Sequence, residues 1–222
     1  MKKALFLIED KILKACKSYK RSKSEVNLIA VSKTVAAEKI NEAIALGCKI
    51  FGENYIQEAA EKWPEIKKNN PEIKLHFIGH LQSNKAAEAI DLFDCIQTLS
   101  GEKLAMIFHK ELKKNPKKIE FFIQVNIGQE EQKGGISPNE VADFVKICRE
   151  KYNLNVTGLM CIPPALELAS PYFALLAKLA KESGLKNLSM GMSADFEEAI
   201  ALGATHIRIG SAIFGERKNK SF

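Results

Sequence analysis

Along this chain, short runs of β-branched and aromatic residues alternate with longer stretches in which apolar residues recur three and four positions apart. The runs at 26–32, 49–52, 75–79, 95–98, 120–127, 156–162, 187–190 and 206–210 are nearly continuous in Val, Ile, Leu and Phe. That is the pattern of parallel strands covered on both faces. Helical periodicity predicts helices at 36–46, 54–63, 85–92, 102–114, 139–150, 172–182 and 195–202. Gly47 and Gly203 stand where helices end, while Pro138 and Ser170-Pro171 stand where they begin. Strand–helix alternation implies right-handed βαβ units, and eight of them favour a closed (β/α)8 TIM barrel over the alternative, an open doubly wound sheet. A further helix at 5–18 precedes the first strand, and little chain follows the eighth. This extra N-terminal helix is expected to supply part of the outer cover.

Composition narrows the setting. The 222 residues fit one domain spanning 1–222, and the apolar and charged shares of 46% and 27% are ordinary for a globular protein. No run of 18 apolar residues is present, and Glu9, Asp10 and Lys11 interrupt the N-terminal apolar stretch. Neither a membrane span nor a signal peptide is expected, so the reading is a cytoplasmic protein. Five scattered cysteines, odd in number and without a C-x-x-C pair, argue against a disulfide framework or a structural zinc site. The net charge of +6 is spread over helices and turns among acidic residues, so no nucleic-acid partner is expected. Of 33 basic residues only Arg21, Arg149, Arg208 and Arg217 are arginine, and Arg208 sits inside an apolar strand.

Active sites of such barrels lie at the carboxyl ends of the strands, and here those ends collect the polar residues. Strand one ends in Ser32-Lys33-Thr34, strand two in Gly52-Glu53-Asn54-Tyr55, strand seven in Met190-Gly191-Met192-Ser193 and strand eight in Arg208-Ile209-Gly210-Ser211. An amine at Lys33, partly desolvated, would be available to a carbonyl; by position alone it could equally be one more lysine ending a strand in solvent. After strands seven and eight, Gly191 and Gly210 would let backbone N–H groups approach a phosphate, with hydroxyls from Ser193 and Ser211. Ser193 is also a plain N-cap candidate for the helix at 195–202. An amine at one side of the mouth and a phosphate at the other fit either a Schiff-base sugar-phosphate aldolase or a pyridoxal phosphate site. Arg208, two residues before Gly210 and on the same face, could hydrogen-bond a pyridine nitrogen and keep it unprotonated, which favours pyridoxal phosphate. His76 and His80 are not spaced to converge on a metal, and His109 and His206 read as peripheral.

The segments Ala30-Val31-Ser32-Lys33-Thr34, Phe51-Gly52-Glu53-Asn54-Tyr55, His76-Phe77-Ile78-Gly79-His80-Leu81-Gln82-Ser83-Asn84-Lys85, Ser189-Met190-Gly191-Met192-Ser193 and Arg208-Ile209-Gly210-Ser211-Ala212-Ile213-Phe214-Gly215 resemble the YggS/PROSC pyridoxal phosphate homeostasis proteins. The resemblance runs in order from the first helix to the last residues. It implies an alanine-racemase-like barrel with pyridoxal 5'-phosphate as a Schiff base on Lys33. It further implies phosphate contacts from Ser193, Gly210 and Ser211, Asn54 lining the pocket, and Arg208 at the ring nitrogen. Ser211 departs slightly from the family, many members of which carry threonine there, but the hydroxyl is kept. The family is regarded as binding and supplying the cofactor, with PLP-dependent apo-enzymes as conceivable recipients and no established turnover. Racemisation needs an acid/base group on each face of the substrate. The second base of alanine racemases lies near an additional β domain, for which the twelve residues after Gly210 leave no room. Tyr55 is the candidate substitute, so weak racemase-like activity stands as the alternative. A monomer is the default expectation.

Overall fold

Period-two alternation within each apolar run assigns its residues to two environments once the sheet closes. In the computed structural model, which describes residues 1–215, the runs become β1 (Asn27–Val31), β2 (Ile50–Glu53), β3 (Lys74–Phe77), β4 (Cys95–Leu99), β5 (Glu120–Val125), β6 (Val156–Cys161), β7 (Asn187–Ser189) and β8 (His206–Ile209). Residues 216–222, which include Arg217, lie outside the described residues. The strands pair in parallel in chain order, and β8 pairs back to β1 through Asn27↔His206 and Ile29↔Arg208. The expected barrel is therefore the observed one, and the doubly wound alternative is excluded.

One set of strand residues, including Phe51, Leu75, Phe121, Leu159 and Ile207, joins Trp63, Phe108 and Phe173 of the helices in the main hydrophobic core. The complementary set is mixed. Cys95, Phe122 and Met160 form a separate small apolar cluster, and His76, Gln97, Ser189, His206 and Arg208 are buried polar residues of the same strands. The strand runs are mostly apolar where they meet helices, with Glu53 at the end of β2 an exception, and partly polar where they meet each other across the barrel.

The helices are α1 (Lys2–Ser18), α2 (Ala37–Ala45), α3 (Ile56–Asn69), α4 (Ala86–Leu92), α5 (Glu102–Lys114), α6 (Val141–Lys146), α7 (Ser170–Glu182), α8 (Phe196–Ala201) and α9 (Ser211–Phe214). Three depart from the sequence reading. Helix α3 continues through Pro64, because buried Trp63 and Ile66 anchor both sides of it to the core. Pro64 and Ala60, whose carbonyl loses its helical donor, are both exposed, so water can satisfy that carbonyl. Helix α6 opens with a 3₁₀ turn (Pro138–Glu140) and ends in a π turn (Ile147–Lys151). Helix α9 is a single turn too short to leave a periodic signal. Among the described residues no helix is long and apolar enough to cross a membrane.

Helix α1 buries Leu5, Ile8, Ile12, Ala15 and Cys16, one face at helical spacing, and packs against α8 and α9. Lys11 pairs with Glu197 of α8 at 3.0 Å. Beyond α1, Arg21 donates to the carbonyls of Ile200 (2.9 Å) and Ala204 (2.7 Å), serving the C-terminal end of α8. The extra helix does supply outer cover, as expected.

The turn after β1 is held from β2 and α3. Val35 N–H donates to Ser32 O (3.1 Å), placing Lys33 and Thr34 at the centre of a four-residue turn. Thr34 has φ +61°, an uncommon conformation for a β-branched residue. Its N–H donates to Glu58 Oε1 at 2.6 Å. Lys62 Nζ donates to Ser32 O (2.8 Å) and Val35 O (3.3 Å) and pairs with Glu58 Oε1 (2.7 Å) and Glu53 Oε1 (2.8 Å). Glu53 is fully buried and accepts from Ser32 Oγ (2.6 Å) and Trp63 Nε1 (3.0 Å). Burial pushes its carboxyl above the usual range, with Lys62 pulling the other way.

Two outcomes test these anchors. Ile12→Ala, at a fully buried position of α1, is expected to cost about 2–5 kcal/mol in urea unfolding; a change within error would mean that α1 is not integral. Lys62→Met strands the Glu53 carboxylate and is expected to cost about 3–5 kcal/mol at neutral pH. Because Glu53 has a raised folded pKa, its contribution is most favourable below the unfolded value and is lost as pH rises through the folded one. The Lys62→Met deficit should therefore shrink in acid, and a pH-independent deficit would contradict the clamp.

Candidate functional site

The carboxyl ends of β1, β2, β7 and β8 bring together all the residues the sequence singled out. Lys33 is half-buried in its turn. Gly210 packs beside β1, where an added Cβ would meet Val31 Cβ and O at 3.4 Å. The lysine turn and the Gly210-Ser211 corner are thus neighbours on adjacent strands, not opposite each other across the mouth. Barrel closure is the reason, since β8 pairs with β1.

Gly210 caps α9: its carbonyl accepts from Ile213 (2.9 Å) and Phe214 (3.0 Å). The N–H groups of Ser211 and Ala212 at the start of this turn have no intrahelical acceptor, and both residues are exposed. Ser193 is exposed as well, but it does not cap α8. The N-cap position falls to Asp195, whose side chain does not bond the helix N–H groups; its Oδ1 accepts from Met192 N–H at 2.5 Å and closes the preceding turn. The 192–195 turn, closed by Phe196 N–H on Met192 O (2.9 Å), carries the chain two residues past Ser193 before the helix starts. Gly191 has φ +88°, and a Cβ there would lie 2.5 Å from Ala199 Cβ. Its glycine is required by the packing of the loop on α8, in addition to any role toward a ligand.

Asn54 follows buried Glu53. A Cβ on Gly79 would fall 2.1 Å from Asn54 O, so the loop after β3 lies directly on this residue. Its Oδ1 is buried without a hydrogen-bond partner, an amide end left unmet within the fold. Tyr55, the N-cap residue of α3, is 56% exposed.

Arg208 is the deepest of the group, 5% exposed on β8. Its Nη1 donates to Ser189 Oγ (2.7 Å) and its Nη2 to Cys161 O (2.9 Å), both neutral acceptors. No carboxylate among the described residues pairs with it. Burial pulls its pKa below the ordinary value for arginine, as desolvation of a charge must. Ser189 Oγ donates onward to Gln97 Oε1 (2.6 Å), and Gln97 Nε2 lies 2.9 Å from His76 Nδ1.

His206 is not peripheral. It is buried, with its ring 5.2 Å from that of Phe122 and 5.9 Å from that of His76. The start of β8 faces the barrel interior, which the sequence position alone does not reveal. Burial pushes both imidazoles down, His76 to about 3 and His206 to about 4, so both are neutral near pH 7. His109 sits on α5, hydrogen-bonded to Tyr152 O at 2.7 Å. All five cysteines are free and buried, and burial pushes the Cys161 thiol up to about 12, so it is unreactive beside Arg208.

Sequence reasoning missed Glu53, Lys62, Ser189 and Gln97 as site-building residues. A signal existed: Gln97 and Ser189 are polar interruptions of apolar strands, as Arg208 is.

The described geometry suits pyridoxal phosphate. A donor-only guanidinium lies buried, an unmet amide oxygen stands at Asn54, and the strand end that carries Lys33 adjoins a helix start whose N–H groups suit an anion. The family described as alanine racemase, N-terminal domain, matches residues 10–218. The pyridoxal phosphate homeostasis protein of Pasteurella multocida is 39% identical over 220 residues, covering 95% of this chain and 94% of that protein. The human protein of the same name is 41% identical over 210 residues, covering 86% and 76%. Among solved structures, PipY of Synechococcus elongatus with PLP bound is 33% identical with a TM-score of 0.78, covering 92% of this chain and 100% of that one. Alanine racemase of Clostridium difficile shares the fold alone, at 16% identity and a TM-score of 0.68, with 60% of its chain covered. Matches of this extent settle the assignment: the chain belongs to the alanine racemase N-terminal-domain family and, within it, to the pyridoxal phosphate homeostasis proteins.

Proposed function

We propose that this chain binds pyridoxal 5'-phosphate at the barrel mouth, attached as a Schiff base to Lys33, and that it acts in intracellular supply of the cofactor. The observation that carries this reading is Arg208, a buried guanidinium with only neutral acceptors, one strand away from the turn that presents Lys33. A charge so placed asks for an electron-rich partner, and a pyridine nitrogen is one. PipY, a 33% identical relative, has been solved with PLP bound.

Each residue has a physical task. The turn held by Glu53, Glu58 and Lys62 fixes where the Lys33 amine emerges. Arg208 donates to the ring nitrogen without giving up its proton, so that nitrogen stays unprotonated. Ser193, Gly210 and Ser211 receive the phosphate at the exposed rim, aided by the first N–H groups of α9, while Asn54 lines the pocket. When bound, the cofactor supplies an aldehyde and a conjugated ring; against an arginine that ring is a weak electron sink, which suits holding more than turnover.

The chain is read as one barrel domain over residues 1–222, cytoplasmic and monomeric, since a closed barrel offers no strand edge for pairing. PLP-dependent apo-enzymes are its proposed recipients. A racemase-like reading rests on Tyr55 near the mouth; its exposure argues against a water-excluded acid/base role. Incubation with L-alanine in deuterated water should give no α-proton exchange beyond that of free cofactor.

Two further outcomes are expected. Borohydride reduction of the cofactor-loaded protein should remove its visible absorbance and leave the mass tag on the peptide containing Lys33, whereas Lys33→Ala should stay colourless; a tag on another lysine would sink the assignment. Arg208→Met removes a desolvated, unpaired charge, so the cofactor-free protein should unfold at higher urea. The same change should weaken cofactor binding about 10–100-fold, the worth of one hydrogen bond from a charged group. Unchanged affinity would displace Arg208 from the site.

A further inference from the structure

We infer that Ser189, Gln97 and His76 form a one-way hydrogen-bond relay across the barrel interior that positions Arg208, making them positioning residues of the cofactor site. The inference rests on the proposed placement of the cofactor ring against Arg208.

The direction of the relay follows from donor and acceptor inventories alone. A guanidinium only donates, so Ser189 Oγ accepts from Arg208 Nη1 (2.7 Å). The serine hydroxyl has one hydrogen, and its remaining contact is Gln97 at 2.6 Å, so Gln97 must present its oxygen there. Were the amide turned round, a buried hydroxyl would be left without an acceptor. The Gln97 NH₂ therefore faces His76 Nδ1 at 2.9 Å and donates to it. His76 must in turn carry its hydrogen on Nε2 and be neutral. Its burial, with His206 beside it, keeps it neutral. Four residues from β8, β7, β4 and β3 are thus locked in sequence by the charge at one end.

Two properties result. The guanidinium plane is fixed from below by Ser189 and from β6 by Cys161 O, so its remaining donors have a set direction. The relay also contains no carboxylate, so it leaves the charge of Arg208 in place; Asp195 acts on that charge without pairing with it. A glutamate at position 97 would keep the shape and the Ser189 acceptor, and would reverse the second property. It offers only acceptors, so His76 would have to move its hydrogen to Nδ1.

The test uses the full chain, ¹⁵N-labelled, with and without pyridoxal 5'-phosphate. In the cofactor-free wild type, His76 should give the nitrogen shifts of an Nε2–H imidazole, and the Arg208 Nη hydrogens should exchange slowly. Gln97→Glu should switch His76 to an Nδ1–H signature, an effect that loss of packing alone would not produce. Gln97→Leu and Ser189→Ala, which cut the relay at two places, should speed Arg208 Nη–H exchange at least about tenfold and raise the cofactor Kd about tenfold, the scale of one hydrogen bond. Borohydride tagging of Lys33 should persist in both. An Nδ1–H imidazole in the wild type, or Arg208 exchange and cofactor Kd within twofold of wild type in two folded variants, would overturn the inference. If the relay signals behave as expected but borohydride tags a lysine other than Lys33, the site assignment fails and the relay stands, so the two failures are distinguishable.

Discussion

The constraint on which the rest of this structure depends is a guanidinium buried with no carboxylate beside it. Arg208 is 5% exposed and answered by a hydroxyl and a carbonyl. Desolvating a charge without a counter-ion is among the more costly things a fold can do. Here it shapes the barrel interior. Where barrels of this type fill their inner layers with bulky branched residues, this one places Gln97, Ser189, His76 and His206 beside a small apolar cluster of Cys95, Phe122 and Met160. The polar members supply oriented dipoles, and they remain neutral because burial keeps both imidazoles unprotonated near pH 7.

Carboxylates are not scarce near the mouth; they are partitioned. Glu53 and Glu58 both serve Lys62 on the helix side of β2, where they fix the turn that presents Lys33. Asp195, at the N-cap position of α8, is occupied by the Met192 N–H of the preceding turn. One cation is therefore doubly paired and made structural, while the other is left unpaired and available. This division lets the same barrel end be rigid at β1 and β2 and electrostatically unsatisfied at β8.

Much of this was legible in the sequence, for identifiable reasons. The eight strands announced themselves because helix-facing positions must be apolar, and α5 was bounded correctly because nothing tertiary disturbs its periodicity. Lys33, Asn54, Ser193, Arg208, Gly210 and Ser211 do gather at one end, since strand polarity in a parallel barrel brings every carboxyl end to the same face. What escaped depends on contacts remote in sequence. Ser189 and Gln97 meet across 92 positions, and only closure decides that both face inward. Pro64 read as a helix end because local propensity speaks first; the burial of Trp63 and Ile66 overrides it. The relocation of the α8 cap from Ser193 to Asp195 reflects one extra turn of backbone that a pattern of residue types does not encode.

The depth profile of the site bears on holding against turnover. Arg208 is buried, Lys33 is half-buried, and Ser193 and Ser211 are exposed. On the proposed site, the cofactor would gain its directional contact in a low-dielectric interior, where such a bond is strongest, and its phosphate contacts where water competes. An enzyme needs water excluded around the reacting bonds, and exposed Tyr55 does not provide that closure. The proposed holding role would be served by an exposed phosphate end and a buried arginine answered only by neutral acceptors, and the second of these is what the barrel interior sustains.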